Sequence, residues 1–444
     1  MQHSPIPRET IKKSLRVTVW DGIFVSVMLG IVDAYLIPFA LVFKSSPAQI
    51  SWLASWPALI GALAQCGIGW IVHSLRGRKN VLTSVVLVQA IALVGMAALP
   101  FGPEGARFPI LVGLAILYTT MGGMTVPVWN SLLTEYLPAT KRAGYIGWRN
   151  RWTGLIVIGA NLSAGVVLLF CGKESTLGFT LIFLFAALCR FISWRWLTRL
   201  FEPRVSKETL TADTFDRFHD VVRNTRFWRL ILFVGAITFA TNLSGPYFSV
   251  YMLDHLGFSY LTYSILTMAV NFSMVNMMAV WGRKANTVGS MKILRWSSAV
   301  MPLLPVLWLF SGSPFYIFGI QLFGGIVWAG FNLCSLNAVF DIVPGRWRTQ
   351  AVAYYNVANG VALFAGAFLG GQMMGKLPSI HATPFLTLLL ISGLLRAAIY
   401  LLMFPHGETS GSTDRSRDIH VMVSRLFFVP ARMTCQALGL VTRK

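Results

Sequence analysis

One carboxyl group stands where a carboxyl group is expensive. Asp33 lies near the middle of the apolar run VSVMLGIVDAYLIPFALVF. A charged side chain at a bilayer centre costs about 2.5–3.5 kcal/mol on insertion scales. Such residues face a cavity and mark the path of an ion or substrate. An acid so placed can take up a proton on one side and release it on the other. Asp33 is therefore the candidate proton-coupling residue. The competing reading is a structural acid paired to a neighbouring helix.

Other polar and aromatic residues recur inside apolar runs. Tyr118, Thr119 and Thr120 form one group, and Thr241, Asn242 and Tyr247 another. Asn161, Asn271, Gln321, Trp328 and Asn332 continue the set. An Asn side chain offers a donor and an acceptor to a sugar-like or zwitterionic solute. The same side chains also join helices with no solute present. As a set they point to a polar cavity, with Tyr118, Asn161, Asn242, Tyr247, Asn271, Trp328 and Asn332 as candidate lining. Gly366 and Gly370 form a GxxxG that suits close helix packing. Arg190 and Arg396 could serve as anion ligands or counter-ions, but they lie toward the ends of their runs, where an Arg snorkels to the interface or forms a structural pair.

No enzyme constellation accompanies these residues. There is no GxSxG, no phosphate loop and no pair of catalytic carboxylates, and His73 and His255 sit at the ends of apolar runs. The five cysteines form no CxxC and none stands at metal-ligand spacing from a His. No metal, cofactor or enzymatic activity is expected.

The elements that carry these residues must cross a membrane. Of 444 residues, 55% are hydrophobic and only 12% charged, where a soluble domain carries about 25% charged residues. Mean hydropathy is +0.64. A span needs about 20 mostly apolar residues. That rule places helices near 18–43, 50–73, 80–100, 108–134, 145–170, 178–200, 228–253, 259–282, 291–311, 314–340, 350–375 and 382–404. The first run is read as a retained helix rather than a cleaved leader. The expected fold is an all-α membrane protein of 12 helices in two six-helix bundles, 18–200 and 228–404. A polar N-terminus (1–17), a central loop (201–227) and a tail (405–444) complete the chain. The tail's apolar stretch is short and basic, which suits an interfacial amphipathic helix.

The net charge of +21 comes from 37 Lys+Arg against 16 Asp+Glu. The basic residues cluster between apolar runs rather than along one helix face, which excludes nucleic acid as the partner. Arg8, Lys12, Lys13, Arg16, Arg76, Arg78, Lys79, Lys141, Arg142, Arg149, Arg151, Arg283, Lys284, Lys292, Arg295, Arg346 and Arg348 all fall on one side. Only Lys44, Arg107, Lys173 and Lys376 fall on the other. The positive-inside rule then puts both termini and the central loop in the cytoplasm. The expected location is a cell's inner membrane.

The two halves repeat. At an offset of 206 residues, Glu135 falls on Asp341, Pro138 on Pro344, Arg142 on Arg348, Asn150 on Asn356, Gly154 on Gly360 and Arg190 on Arg396. Earlier in the halves the offset is 208, with Pro38 on Pro246 and Ser51 on Ser259. Polar identities at a constant offset mark a duplicated bundle.

Six plus six helices with parallel halves resemble the major facilitator superfamily over about residues 1–404. The loop GWIVHSLRGRKN at 69–80 is similar to that family's G-x-x-x-D-R-x-G-R-K motif through Gly77, Arg78 and Lys79. Ser74 and Leu75 stand where the family has Asp and Arg, and in the second half Asn286 of GRKANTVG replaces the acid. Glu135 with Arg142 and Asp341 with Arg348 both read acid-x6-Arg, similar to sugar-porter-like members. The resemblance implies a cavity lined by helices 1, 4, 7 and 10. It also implies a cytoplasmic gate of Gly77, Arg78, Lys79, Glu135, Arg142, Asp341 and Arg348, whose charge pairs join the halves when the site faces outward. The drug-antiporter pattern is absent, since helix 5 (GLIVIGANLSAG) has no Pro.

The expectation is a secondary transporter of a small polar solute, working by alternating access and coupled to protons through Asp33. A monomer in the lipid bilayer is expected. Uniport stays open, and so does a transporter-like receptor or assembly scaffold that recruits partners through the central loop and tail.

Overall fold

A computed structural model describes residues 8–66, 77–137, 139–172, 175–202, 225–344, 347–379 and 383–404. Residues 203–224 of the central loop, the tail and the stretch containing Ser74 and Leu75 lie outside the described residues. The first half holds α1 (Arg8–Val42), α2 (Pro47–Cys66), α3 (Arg78–Ala98), α4 (Glu104–Tyr136), α5 (Ala139–Cys171) and α6 (Thr176–Leu197). The second holds α7 (Thr225–Asn242), α8 (Tyr260–Val288), α9 (Ser290–Val300), α10 (Pro314–Ile342), α11 (Arg348–Met374) and α12 (Pro384–Met403). Ten helices among the described residues are long and apolar enough to cross a membrane. With α2 and α9 they make the expected twelve.

Two helices depart from the expected continuous spans. The run 228–253 is interrupted after Asn242, restarts at Tyr247–Val250 and ends in a π-helical turn, Tyr251–His255. Gly245 and Pro246 explain the break: Pro246 has no N–H to donate and stands as the cap of the next segment. The run 291–311 stops at Val300 and resumes as Leu303–Leu307, with Pro302 as its cap. By contrast α1 continues through Pro38 and α4 through Pro109 and Pro127.

Within the first half, α1 packs on α5 and α6, α2 on α4, and α3 on α4 and α6. Within the second, α7 packs on α11 and α12, and α10 on α8 and α9. Two seams join the halves, α2 against α11 and α5 against α8. The repeat carries α2 onto α8 and α5 onto α11, so each seam is the image of the other. The seams close tightly where side chains are small: a Cβ on Gly360 would collide with that of Ala62, and one on Gly371 with Ser51.

The end of the bundle that holds the α1–α2 and α7–α8 connections is here called distal, and the end where α1 begins, proximal. Among the described residues, hydrogen bonds tie the halves together toward the distal end. Tyr35 bonds Ser264, the Tyr263 hydroxyl donates to the Ala34 carbonyl at 2.9 Å, and the Tyr247 hydroxyl donates to the Pro47 carbonyl at 3.3 Å. Toward the proximal end Asn150, Trp152, Asn332 and Asn356 are exposed.

Gly366 and Gly370 bring α11 onto α7, where a Cβ at either would run into the carbonyls of Phe239 and Leu243. Gly370→Val is expected to cost about 1–3 kcal/mol by overpacking. A lowered melting temperature in detergent is the check; an unchanged one would refute the contact.

Candidate functional site

Asp33 projects from the apolar middle of α1 and is nonetheless exposed, so it opens onto a space rather than a packed neighbour. Tyr118 of α4 stands beside it. That phenol is buried, and its hydroxyl interacts with the Asp33 carboxylate without reaching close hydrogen-bond geometry. The amide of Gln89 on α3 donates to the Tyr118 carbonyl at 3.0 Å and fixes that turn of α4. No cation pairs with Asp33 among the described residues, and the neighbour it has is the Tyr118 hydroxyl. The arrangement is an accessible acid beside one hydroxyl, in a low-charge interior.

The remaining cavity candidates divide. Asn271, Asn242 and Trp328 are half-buried and Asn332 is exposed. Asn271 bonds the Thr267 carbonyl at 3.2 Å and Asn242 the Thr238 carbonyl at 2.8 Å, one turn back on their own helices. Each keeps its side-chain oxygen for other partners. Asn161 and Tyr247 do not line an open space. Asn161 is fully buried and donates to the Gly30 carbonyl at 3.2 Å, tying α5 to α1. Tyr247 is fully buried in the seam to Pro47. Both are corrected from cavity residues to helix ties. Asn161→Leu is expected to lower stability by about 1–3 kcal/mol, because the bond that ties α5 to the Gly30 carbonyl of α1 is lost. Solute KM should stay within about twofold, since binding contacts are untouched; a large KM change with normal stability would return Asn161 to the cavity.

Asp21, absent from the sequence reading, anchors a buried charge cluster. Its carboxylate accepts from Ser193 at 2.7 Å and lies 4.0 Å from Arg190 and 3.8 Å from Arg149. Arg149 also stacks over Trp129 at 4.3 Å. Arg190 therefore does not snorkel; it is 2% exposed and bonds Ser193 at 3.1 Å. Its repeat mate Arg396, 3% exposed, bonds Ser392 at 3.0 Å and the Met301 carbonyl at 3.4 Å, where α9 ends. A cation at a helix C-terminus is favoured by the helix dipole.

Glu135 and Arg348, two of the expected gate residues, bond other described residues in this structure. Glu135 is held by Arg78 through two hydrogen bonds of 2.5 and 3.0 Å, with Ser131 accepting from the same guanidinium at 3.0 Å. The side chain of Arg142 lies outside the described residues. In the second half Arg348 donates to the Phe340 carbonyl at 3.1 Å and stacks over its ring, while Asp341 is exposed and pairs with no described residue. The acid-x6-Arg pair is thus not formed at Asp341–Arg348, because Arg348 caps its own helix junction instead. Lys79 is half-buried beside the cluster.

Glu202, just past α6, supplies the acid that the loop at 69–80 lacks. It accepts from the Arg78 backbone N–H at 2.6 Å, at the α3 N-terminus, where a carboxylate complements the helix dipole. A Cβ on Gly77 would stand 2.8 Å from the Glu202 carboxylate, so Gly77 makes room for it. Tyr136 donates to the Phe201 carbonyl and holds Glu202 in register. Burial pushes the Tyr136 hydroxyl up to about 12, so it remains a donor at neutral pH. The cluster lies within the first half, and no described residue of the second bonds it. Glu202→Ala is expected to cost about 0.5–2 kcal/mol, as for loss of a helix cap; thermal melting is the check, and no change would refute it.

An apolar groove of about 670 Å³ runs between α1, α5 and α6, lined by Val27, Ile31, Ile156 and Phe185 among others. It opens on another face of α1 from Asp33 and carries no charged group.

Comparison with known proteins fits this geometry. A family profile described as Major Facilitator Superfamily matches residues 22–310 and 234–439. A ribitol transporter of Klebsiella pneumoniae is 22% identical over 365 residues, spanning 78% of this chain and 83% of the relative. The fold is shared with a solved nucleoside transporter (TM-score 0.73, 16% identity, 89% of this chain and 100% of that one). It is shared as well with a D-xylose-proton symporter (TM-score 0.68, 17% identity, 92% and 100%).

Proposed function

The chain belongs to the major facilitator superfamily, and from that premise we propose that it is a proton-coupled secondary transporter of a small neutral polyhydroxy solute. Membrane solute transport is the family's activity. The finer reading rests on one observation: Asp33 is accessible in the apolar middle of α1 with no cation paired to it among the described residues. A carboxylate fixed by an Arg would stay charged throughout a cycle. One facing a hydroxyl can be neutralised by a proton and ionised again.

The cavity supports a neutral solute. Asn271, Asn332 and Trp328 offer amides and an aromatic face, and no described Lys or Arg accompanies them in the middle of their helices. Amides pair with hydroxyls in both directions, and sugar-like rings or chains stack on indole. The ribitol transporter among the relatives supports a pentitol or sugar as the first class to test.

In this reading the distal end faces outside and both termini lie in the cytoplasm, as the Lys/Arg asymmetry supports. The distal cross-half bonds then make the present state closed to the outside. Solute and proton exchange with the cytoplasm, and the halves rock about the seams to reopen outward. The Arg78–Glu135–Glu202 cluster braces the cytoplasmic end of the first half through that motion.

The test is uptake into proteoliposomes under an imposed pH gradient, with pentitols, pentoses, nucleosides and organic acids in turn. Gradient-dependent accumulation of a pentitol or sugar is expected. Accumulation of charged solutes alone would overturn the substrate class.

A further inference from the structure

The hydrogen bond between Tyr263 and Ala34 has a cause in the sequence of α1. A helix bonds each carbonyl to the N–H four residues on, and four residues after Ala34 stands Pro38, which has none. The α1 helix continues through Pro38 all the same. The Ala34 carbonyl is therefore left without its helical partner, directly after Asp33. The partner it has comes from the other half: the Tyr263 hydroxyl of α8, at 2.9 Å. Tyr263 is 3% exposed and bonds Ser249 at 3.0 Å, so its hydroxyl is held in place from the far side. One residue further, Tyr35 bonds Ser264 across the same boundary and donates to the Asn161 carbonyl at 3.3 Å. The other half thus grips α1 at the two residues that follow the carboxylate.

We propose that Tyr263 is a positioning residue for the proton site, capping the carbonyl that Pro38 leaves free and so making distal closure and the setting of Asp33 one event. When the distal ends part, the cap leaves and the Ala34 carbonyl must find water or solute. The turn of α1 that carries Asp33 is then free to bend at Pro38. The inference rests on the transport reading, and on Asp33 as the coupled group, for its consequence; its geometry does not.

Nitroxide labels at Phe101 and Phe315 test it, since both are exposed at the distal end, one on each half. Pulsed dipolar distances are measured on the full chain in nanodiscs, with the five native cysteines replaced. The native pairing should give one short population. Tyr263→Phe keeps the ring and removes the cap, and should raise the long-distance population roughly 2- to 10-fold, as for loss of one hydrogen bond. Pro38→Ala restores an N–H to the Ala34 carbonyl, so in that background Tyr263→Phe should change the ratio by less than about twofold. Equal effects of Tyr263→Phe in both backgrounds, or no effect in either, would overturn the inference. Proton-driven accumulation measured alongside separates the two claims. If Asp33→Asn leaves accumulation intact while the non-additivity holds, the proton reading fails and the cap stands as a gate alone. If Asp33→Asn abolishes accumulation and the two Tyr263→Phe effects are equal, only the cap fails.

Discussion

Asp33→Asn is expected to abolish proton-driven accumulation while leaving solute exchange nearly intact. Asparagine is close in size and keeps a polar group in the same space, so the helix should pack as before. What it lacks is a site that gains and loses a proton. At one proton per solute, a gradient of one pH unit supports about a tenfold concentration ratio, since one unit is about 1.4 kcal/mol. Native protein should approach that ratio and the variant should fall to about one. Counterflow, in which labelled solute enters against unlabelled solute inside, needs no proton movement and should persist within a few-fold. Loss of both activities would place Asp33 in solute binding or folding instead. Retention of both would make it a bystander.

Asp21→Ala is expected to be the most destabilising single change in the first half. The carboxylate is 5% exposed and stands between Arg149 and Arg190, with Ser193 as a hydrogen-bond donor. Removing it leaves Arg190, 2% exposed, without an acid. Breaking a buried ion pair from one side costs about 3–5 kcal/mol, mostly for the charge left behind. A fall in melting temperature and in yield from the membrane is the check. Arg190→Met alone should also destabilise, but Asp21→Ala combined with Arg190→Met should cost clearly less than the sum, because the orphaned charge is gone. Strict additivity would show that the two side chains do not depend on each other.

Much of the architecture was legible because membranes impose a length on helices and duplication leaves a fixed offset. Glu135 on Asp341 and Arg190 on Arg396 aligned the halves before any contact was known, and the paired seams follow that alignment. The breaks in α7 and α9 were not legible, although Pro246 and Pro302 stand at them. Pro38, Pro109 and Pro127 lie in helices that run on. A proline in a membrane helix removes one bond, and its neighbours decide whether the helix stops. Partners were the least legible. The spacing of Glu135 and Arg142 places both near one helix junction, but Arg78 reaches Glu135 from α3. Glu202 passed unnoticed at the edge of a polar insert, and Asp21 at the edge of an apolar run. Asn161 and Tyr247 carry the same residue types as a cavity wall and serve as ties, because a polar group in an apolar run needs a partner whether solute or helix supplies it.

The central claim is that solute and proton cross together. The most direct measurement traps a pH-sensitive dye inside proteoliposomes of the native protein and adds pentitol outside with no gradient imposed. Internal acidification that tracks solute entry, and that vanishes in Asp33→Asn, is the predicted result. Solute entry with no change in internal pH would contradict the account and make the protein a uniporter.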